Sequence, residues 1–295
     1  MTLSIVRCVR AACAAAVGTL ISAHAATAQA ARDIPLAEFA TRRDALAAKI
    51  DSGVVLAFGG RTLVHDFNTF FQLPAFRYLT NLDEPDAAFV MVVRGRKGVS
   101  TVFLTPLDAR TAFYYGQRTD AATSVKTLGL AGRPFGALAG VLDSLARTGL
   151  PFFHIPDVET TDFSRLDTLT RGQEAVKALS RKFPTLAVKN AMPQLLQIRA
   201  RKSAAELALI RKAAEISSEG HRAAMTTANP LHEYELKAAL EFEFTRRGGE
   251  RPAYGSIVGS GINGTTLHYM RDSDPVKPGD LVVMDAGTEY RGYAA

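Results

Sequence analysis

The chain has 295 residues, 47% of them hydrophobic and 22% charged, with a formal net charge of +6. That length and balance suit two globular domains with sizeable cores and exclude a disordered or fibrous chain. The basic excess is mild and evenly spread, so no nucleic-acid partner is expected.

Arg7 and Arg10 precede an apolar, small-residue stretch from Ala11 to Ala23. Two A-x-A sites follow, Ala23-His24-Ala25 and Ala28-Gln29-Ala30. This is the pattern of a secretory signal peptide, residues 1–30, with cleavage expected after Ala30. The apolar stretch is too short to span a bilayer comfortably. The mature protein is therefore expected to be exported, periplasmic or secreted, with no membrane association after cleavage. Both cysteines, Cys8 and Cys13, lie in the removed segment. The mature chain would have no disulfide, no thiolate ligand and no cysteine nucleophile.

From Ile34 to about Gln194, helix-like and strand-like segments alternate. Leu36 to Ile50 carries a loose helical stripe of Leu36, Phe39, Leu46 and Ile50. Gly53 to Phe58 is a short apolar run ended by Gly59-Gly60, and reads as a strand. Ala87 to Val93 is another, paired with Val99 to Leu104 through Arg94-Gly95-Arg96-Lys97-Gly98. Helices are expected near Asp108 to Tyr115, Gly136 to Arg147 and Gly172 to Phe183, and a short strand at Pro151 to Pro156. This alternation predicts an α/β domain with helices on a mixed sheet, spanning 31–195.

A boundary falls near Pro184 to Arg201, and a second domain is expected over 199–295. Ser203 with Glu206 forms a capping box, after which Leu207, Ile210, Ala214 and Ser217 follow one helical face. Leu236, Leu240 and Phe244 mark a second helix from Leu231 to Arg247, ended by Gly248-Gly249. Strands follow, making the start of an α+β domain.

Leu281-Val282-Val283-Met284 reads as a buried strand that ends at Asp285, followed by the small-residue break Ala286-Gly287. A carboxylate there is costly unless paired, hydrogen-bonded or metal-bound. His268, in Thr265-Thr266-Leu267-His268-Tyr269, precedes that strand by a Pro278-Gly279-Asp280 turn, and both side chains can project to one pocket. If Tyr290-Arg291 is a hairpin turn, antiparallel pairing sets Asp285 opposite the position after Ala295. Ser260 lacks the G-x-S-x-G elbow, because Ile262 stands where the last glycine belongs. The run Gly259 to Gly264 lacks the lysine of a phosphate loop and reads as a loop made flexible by glycine. His65, His154, His221 and His232 stand alone in sequence and read as core or surface residues. The mature chain offers no cysteine nucleophile and no convincing Ser–His arrangement.

Several blocks carry a family resemblance. They are Lys202-Ser203 with Glu206, Glu233-Tyr234-Glu235-Leu236, Tyr254 through Gly261, Asn263-Gly264 and Leu267-His268-Tyr269. Pro278 through Gly287 and Glu289 through Ala294 complete the series. Together they resemble the beginning of the catalytic domain of aminopeptidase P, the Xaa-Pro aminopeptidases among the pita-bread metallopeptidases. Phe76 through Asn81, Glu84 through Ala87, and Phe103-Leu104 are similar, more weakly, to that family's creatinase-like N-terminal domain. The resemblance implies an α/β creatinase-like domain followed by the first part of an α+β pita-bread catalytic domain. It implies two divalent metal ions, often manganese, held by two aspartates, a histidine and two glutamates. Asp285 matches the first metal-ligand aspartate, and His268 matches a non-ligand histidine of the substrate site. The other four ligands would follow Ala295, so this polypeptide is expected to be a fragment without activity. Substrates would be peptides with proline second, and homo-oligomer contacts are expected. A prolidase, a creatinase-type amidinohydrolase or a non-catalytic binding protein on the same scaffold are the alternatives.

Overall fold

The computed structural model describes residues 34–62, 69–106, 108–156, 170–227 and 229–295. The expected signal peptide, with Cys8 and Cys13, and His65 lie outside the described residues. Two compact units divide at Arg201–Lys202.

The first unit is built on a six-stranded mixed sheet. In chain order its elements are α1 (Leu36–Ala48), β1 (Gly53–Phe58), α2 (Pro74–Thr80), β2 (Ala88–Arg94) and β3 (Lys97–Leu104). There follow α3 (Ala109–Tyr115), α4 (Ser124–Leu128), β4 (Ala131–Pro134), α5 (Leu138–Ala146) and β5 (Phe152–Ile155). The unit ends with α6 (Arg171–Lys182), β6 (Val188–Asn190) and α7 (Met192–Ala200). The strand order is β4-β3-β2-β1-β5-β6. β1 lies centrally, antiparallel to β2 and parallel to β5, and every residue of it is buried. Its side chains alternate between two cores, as a strand covered on both faces requires. Val55 and Ala57 join Leu46, Phe76 and Leu195 on one face; Val54, Leu56 and Phe58 join Leu142 and Leu179 on the other. Because Leu195 on α7 is fully buried in the first of these cores, the unit runs on to Arg201 rather than ending at residue 195.

Two buried arginines on α1 were not foreseen as core. Arg42 donates to the Tyr78 carbonyl at 3.3 Å and Arg43 to that of Leu79 at 2.9 Å. These carbonyls belong to the last turn of α2, where no further helical N–H is available to them. Arg42 also sits 4.2 Å from the Tyr78 ring and bonds Glu38 at 2.6 Å, so its charge is compensated where it is buried.

The second unit begins with α8 (Ala204–Thr226) and α9 (Glu233–Arg246), followed by β7 (Arg251–Pro252) and β8 (Ile257–Ser260). β9 (Val282–Asp285), β10 (Thr288–Tyr290) and β11 (Tyr293–Ala294) complete it. The capping box is formed: Glu206 N–H donates to Ser203 Oγ at 3.1 Å, and Ser203 N–H to Glu206 Oε2 at 2.9 Å. α8 and α9 pack closely at Gly220, where a Cβ would lie 2.4 Å from the Phe244 ring. Leu236, Leu240 and Phe244 are buried as expected. The buried face of α8 differs from expectation. Leu209, Ala213, Ile216 and Ala224 face the core; of the residues expected inward, Ser217 is buried and Ile210 half-buried, whereas Leu207 and Ala214 are exposed. The apolar residues of this helix wrap too far around it for periodicity to select the inward face.

β9 is the main departure. It is not a buried strand: Leu281 is 86% exposed and Val283 46%. β9 pairs with β8 alone among the described strands; Met284 on one face packs against the core of α8 and α9, while Val283 on the other face is open. The hairpin register also differs. The turn is Arg291-Gly292, both at positive φ, with Tyr290 opposite Tyr293 and Thr288 bonded to Ala295 in both directions. Carried one step further, this ladder sets the position after Ala295 opposite Gly287, not Asp285. The break at Ala286-Gly287 moves the chain from the β8–β9 ladder into a separate sheet, so Asp285 is not a hairpin residue.

Candidate metal and substrate site

Asp285 is the last residue of β9, opposite Ile257, and it is exposed. One of its oxygens is engaged: Tyr254 Oη donates to Oδ1 at 2.6 Å. This bond, reinforced by partial burial and the nearby negative charge, pushes the Tyr254 hydroxyl up to about 12. The phenol therefore stays protonated and fixes the carboxylate's orientation. Oδ2 accepts no hydrogen bond from the described residues. Gly287, two positions on, has no room for a side chain, since a Cβ there would lie 2.7 Å from the Ala295 carbonyl oxygen. The small-residue break is thus a steric requirement of the crossing between sheets.

The segment between β8 and β9 is held by a second carboxylate. Glu233, the first residue of α9, is fully buried. It accepts from Ser260 N–H at 2.7 Å, Ser260 Oγ at 3.0 Å and Asn263 Nδ2 at 3.0 Å. Tyr269 Oη at 2.8 Å and Asp274 N–H at 2.9 Å complete the set. Burial alone works to raise its pKa. The bonds from Ser260 N–H, Asn263, Asp274 N–H and Tyr269 outweigh burial and bring it down to about 2. Asp272, also buried, accepts from Val258 N–H at 3.0 Å and pairs with Lys237 at 2.7 Å.

The glycine-rich run is consequently not a flexible loop. Gly261–Thr265 is a short 3-10 helix, and Gly259 lies so close to Asn263 that a Cβ would be 3.0 Å from its backbone. The close approach allowed by glycine is to the chain itself.

His268 follows this turn and is exposed. No hydrogen bond or ion pair joins it to Asp285 among the described residues. Its neighbours tie it to the same neighbourhood. Tyr269 is fastened to Glu233, and Met270 abuts Gly255, where a Cβ would lie 2.2 Å from the methionine methyl. Gly255 adjoins Tyr254, which holds Asp285. Tyr254 and Glu233 are the residues to which sequence reasoning assigned no role. Glu233 looks like an ordinary helix-start acid, favoured by the helix dipole; its donors lie about thirty residues away in the chain.

A hard divalent ion takes oxygen ligands, which Asp285 offers through Oδ2. Among the described residues no three His, Cys, Asp or Glu side chains gather to hold a metal ion. This stretch therefore fits such an ion as one ligand and not as a complete site.

Comparison with known proteins agrees with this division. Residues 208–295 match the model of metallopeptidase family M24, and residues 39–148 that of the aminopeptidase P N-terminal domain. The mixed α/β unit is thus the creatinase-like domain, and the second unit is the opening part of an M24 metallopeptidase domain. The chain's relatives include Xaa-Pro aminopeptidases. That of Haemophilus influenzae is 31% identical over 74% of this chain and 49% of its own length; that of Escherichia coli is 29% identical over 89% and 61%. Proline aminopeptidase P II from Yersinia pestis superposes with a TM-score of 0.78 at 30% identity, covering 88% of this chain and 61% of that one. E. coli aminopeptidase P with the inhibitor Pro-Leu superposes equally well, at 0.78 and 27% identity, covering 89% and 61%. In both units the chain is similar to the aminopeptidase P family of M24 metallopeptidases, and it spans about half to three-fifths of the length of these relatives.

Proposed function

We propose that the protein to which this chain belongs is a Xaa-Pro aminopeptidase, removing an N-terminal residue that precedes proline. The observation that carries the reading is the half-open carboxylate of Asp285, clamped on one oxygen by Tyr254, within a stretch matched by the M24 family. In this reading Asp285 is a metal ligand through Oδ2, and Tyr254 holds it in the orientation that keeps Oδ2 open. His268 lines the substrate site, on a segment fastened through Tyr269 and Met270. Two divalent ions, manganese by family resemblance, supply an activated water at neutral pH when bound to a complete ligand set. The named relatives favour this over prolidase, creatinase-type and non-catalytic readings. Export after cleavage at Ala30 belongs to the same proposal, as does assembly into homo-oligomers.

The test uses the full natural reading frame, extended beyond Ala295. It should release alanine from Ala-Pro-Ala, require manganese, and lose activity on chelation. Asp285→Asn should reduce turnover roughly a hundredfold or more, with an unchanged melting temperature. His268→Ala should lower kcat while metal content stays the same. Turnover that survives exhaustive chelation would refute the metal reading. Robust turnover by the 295-residue chain alone would refute the need for ligands beyond it. Amino-terminal sequencing of the exported protein tests the cleavage; a retained Met1 would overturn it.

A further inference from the structure

The first unit carries a groove that the aminopeptidase reading does not use. It lies on the sheet face packed by α5, over the β2–β3 hairpin, and has a volume of about 400 Å³. Val90, Val92, Val99 and Phe103 form its floor, and Val141 and Leu145 of α5 one wall. The register explains the floor: Val92 stands opposite Val99 and Val90 opposite Thr101, all on one face. α5 covers only part of that face. Val90 and Phe103 are buried beneath it, whereas Val99 is 75% exposed.

Three cations line the same groove, Arg94, Lys97 and Arg133, and no acid does. All three are exposed, and no ion pair engages any of them among the described residues. Arg94 and Lys97 are directly opposed across the hairpin, flanking the Gly95-Arg96 turn. Like charges so placed repel each other and destabilise a hairpin. The fold tolerates that repulsion beside an open apolar surface. Arg133 stands at the other end, opposite Phe103 and 5.8 Å from its ring.

The spacing of the charges limits the occupant. Lys97 and Phe103 are six positions apart on one strand, about 20 Å at roughly 3.3 Å per residue. A small anion can meet one end and not both. An extended peptide advances at the same rate as the strand beneath it, and can place acids at both ends with apolar side chains between. We propose that this groove docks an extended acidic segment of a partner protein, its apolar side chains on Val92 and Val99 and its acids at Arg94–Lys97 and Arg133.

The 295-residue chain itself serves for the test, because the groove lies within the first unit. A fluorescein-labelled peptide, Asp-Asp-Val-Ser-Leu-Thr-Leu-Glu-Glu, is titrated with protein and followed by anisotropy. Saturable binding is expected, weakening as salt is raised. The pair Arg94→Glu and Lys97→Glu should weaken it at least tenfold. Arg133→Glu, at the far end, should weaken it severalfold, and Val99→Asp should do so with all three cations present. These side chains are exposed, so unchanged far-UV circular dichroism is expected for each variant; should one misfold, the variant at the opposite end decides. The proposal fails if the peptide does not bind, or if a version with lysines in place of its acids binds equally well. It fails also if either charge reversal in a folded variant is silent. Competition by a medium-chain alkyl carboxylate at the same concentration as the unlabelled peptide would overturn it in favour of a small amphiphile.

Discussion

Two carboxylates of the second unit mark opposite ends of the β8–β9 ladder, Glu233 at Ser260 and Asp285 opposite Ile257, and they behave oppositely. Glu233 is sealed, receives five hydrogen bonds and is held ionised down to about pH 2. Asp285 is open and receives one, from a tyrosine. A carboxylate has about four acceptor positions. Saturation of Glu233 leaves nothing for a ligand, and its work is to fasten Ser260, Asn263, Tyr269 and Asp274 to α9. The single donor at Asp285 orients the group and leaves one oxygen for something outside the chain. His268 lies between them in the chain, next to Tyr269, which Glu233 holds.

The sharpest way to break this contrast is to remove each carboxylate. Glu233→Ala leaves several buried donors without an acceptor, at about 1–3 kcal/mol each before relaxation. A total loss of roughly 3–5 kcal/mol is expected by urea unfolding. Asp285→Ala loses only the bond from Tyr254 and should lower stability by no more than about 0.5–1 kcal/mol. Equal losses at the two positions would abolish the distinction.

Acid sharpens it next. The pKa of Glu233 in the folded protein, about 2, lies below the ordinary 4.5. A group depressed in this way contributes stability that is present above its unfolded pKa. That stability drains as pH falls through the window from about 4.5 to about 2. The contribution is roughly 3 kcal/mol by proton linkage. Unfolding at graded pH should show this slope in the parent chain and a flattened one in Glu233→Gln. The glutamine also presents an N–H to a ring of donors, so it should be less stable near neutral pH, by about 2 kcal/mol.

The contrast also separates what was legible in the sequence from what was not. β1 could be read because Gly53 and Gly59-Gly60 punctuate a run buried on both faces. The inward face of α9 could be read from the spacing of Leu236, Leu240 and Phe244. The β2–β3 hairpin followed from two apolar runs joined by Arg94 to Gly98; the turn is tighter than that segment, at Gly95-Arg96, whose positive φ values suit the twist of the strands. The same reasoning failed at β9, where an equally apolar run lies at the surface. Composition records what a segment can bury; burial depends on which layer meets it. That a strand ends at Asp285 was legible because the small-residue break after it is a local signal; the burial expected of that carboxylate is not found. Glu233 was not legible, because its partners come from residues 260–274 and no spacing within α9 marks it. Short elements such as α4, β4 and β6 are formed by packing against neighbours and leave little periodic trace.

The smallest expected effect tests the open end of the contrast. The Tyr254 hydroxyl is pushed up to about 12 from an ordinary 10.0, first by its bond to Asp285. Ionising the phenol would break that bond and set a phenolate against a carboxylate. Asp285→Asn removes the negative charge and leaves a side chain of the same shape. The Tyr254 titration should then move down toward the ordinary value. Near-UV absorbance against pH would show one fewer high-pH tyrosine in Asp285→Asn, and the same step missing altogether in Tyr254→Phe. Far-UV circular dichroism over the same range establishes that the fold persists while the readings are taken. Tyr254→Phe should lower stability by about 0.5–1 kcal/mol, the worth of one ordinary hydrogen bond, since both partners reach water. On the proposed reading of Asp285 as a metal ligand, the same substitution frees it to rotate and should weaken metal binding about tenfold, as loss of a ligand's supporting hydrogen bond does. A titration unchanged in Asp285→Asn would mean that Tyr254 does not hold Asp285 in solution. The carboxylate would then be open on both oxygens, and the contrast with Glu233 would rest on burial alone.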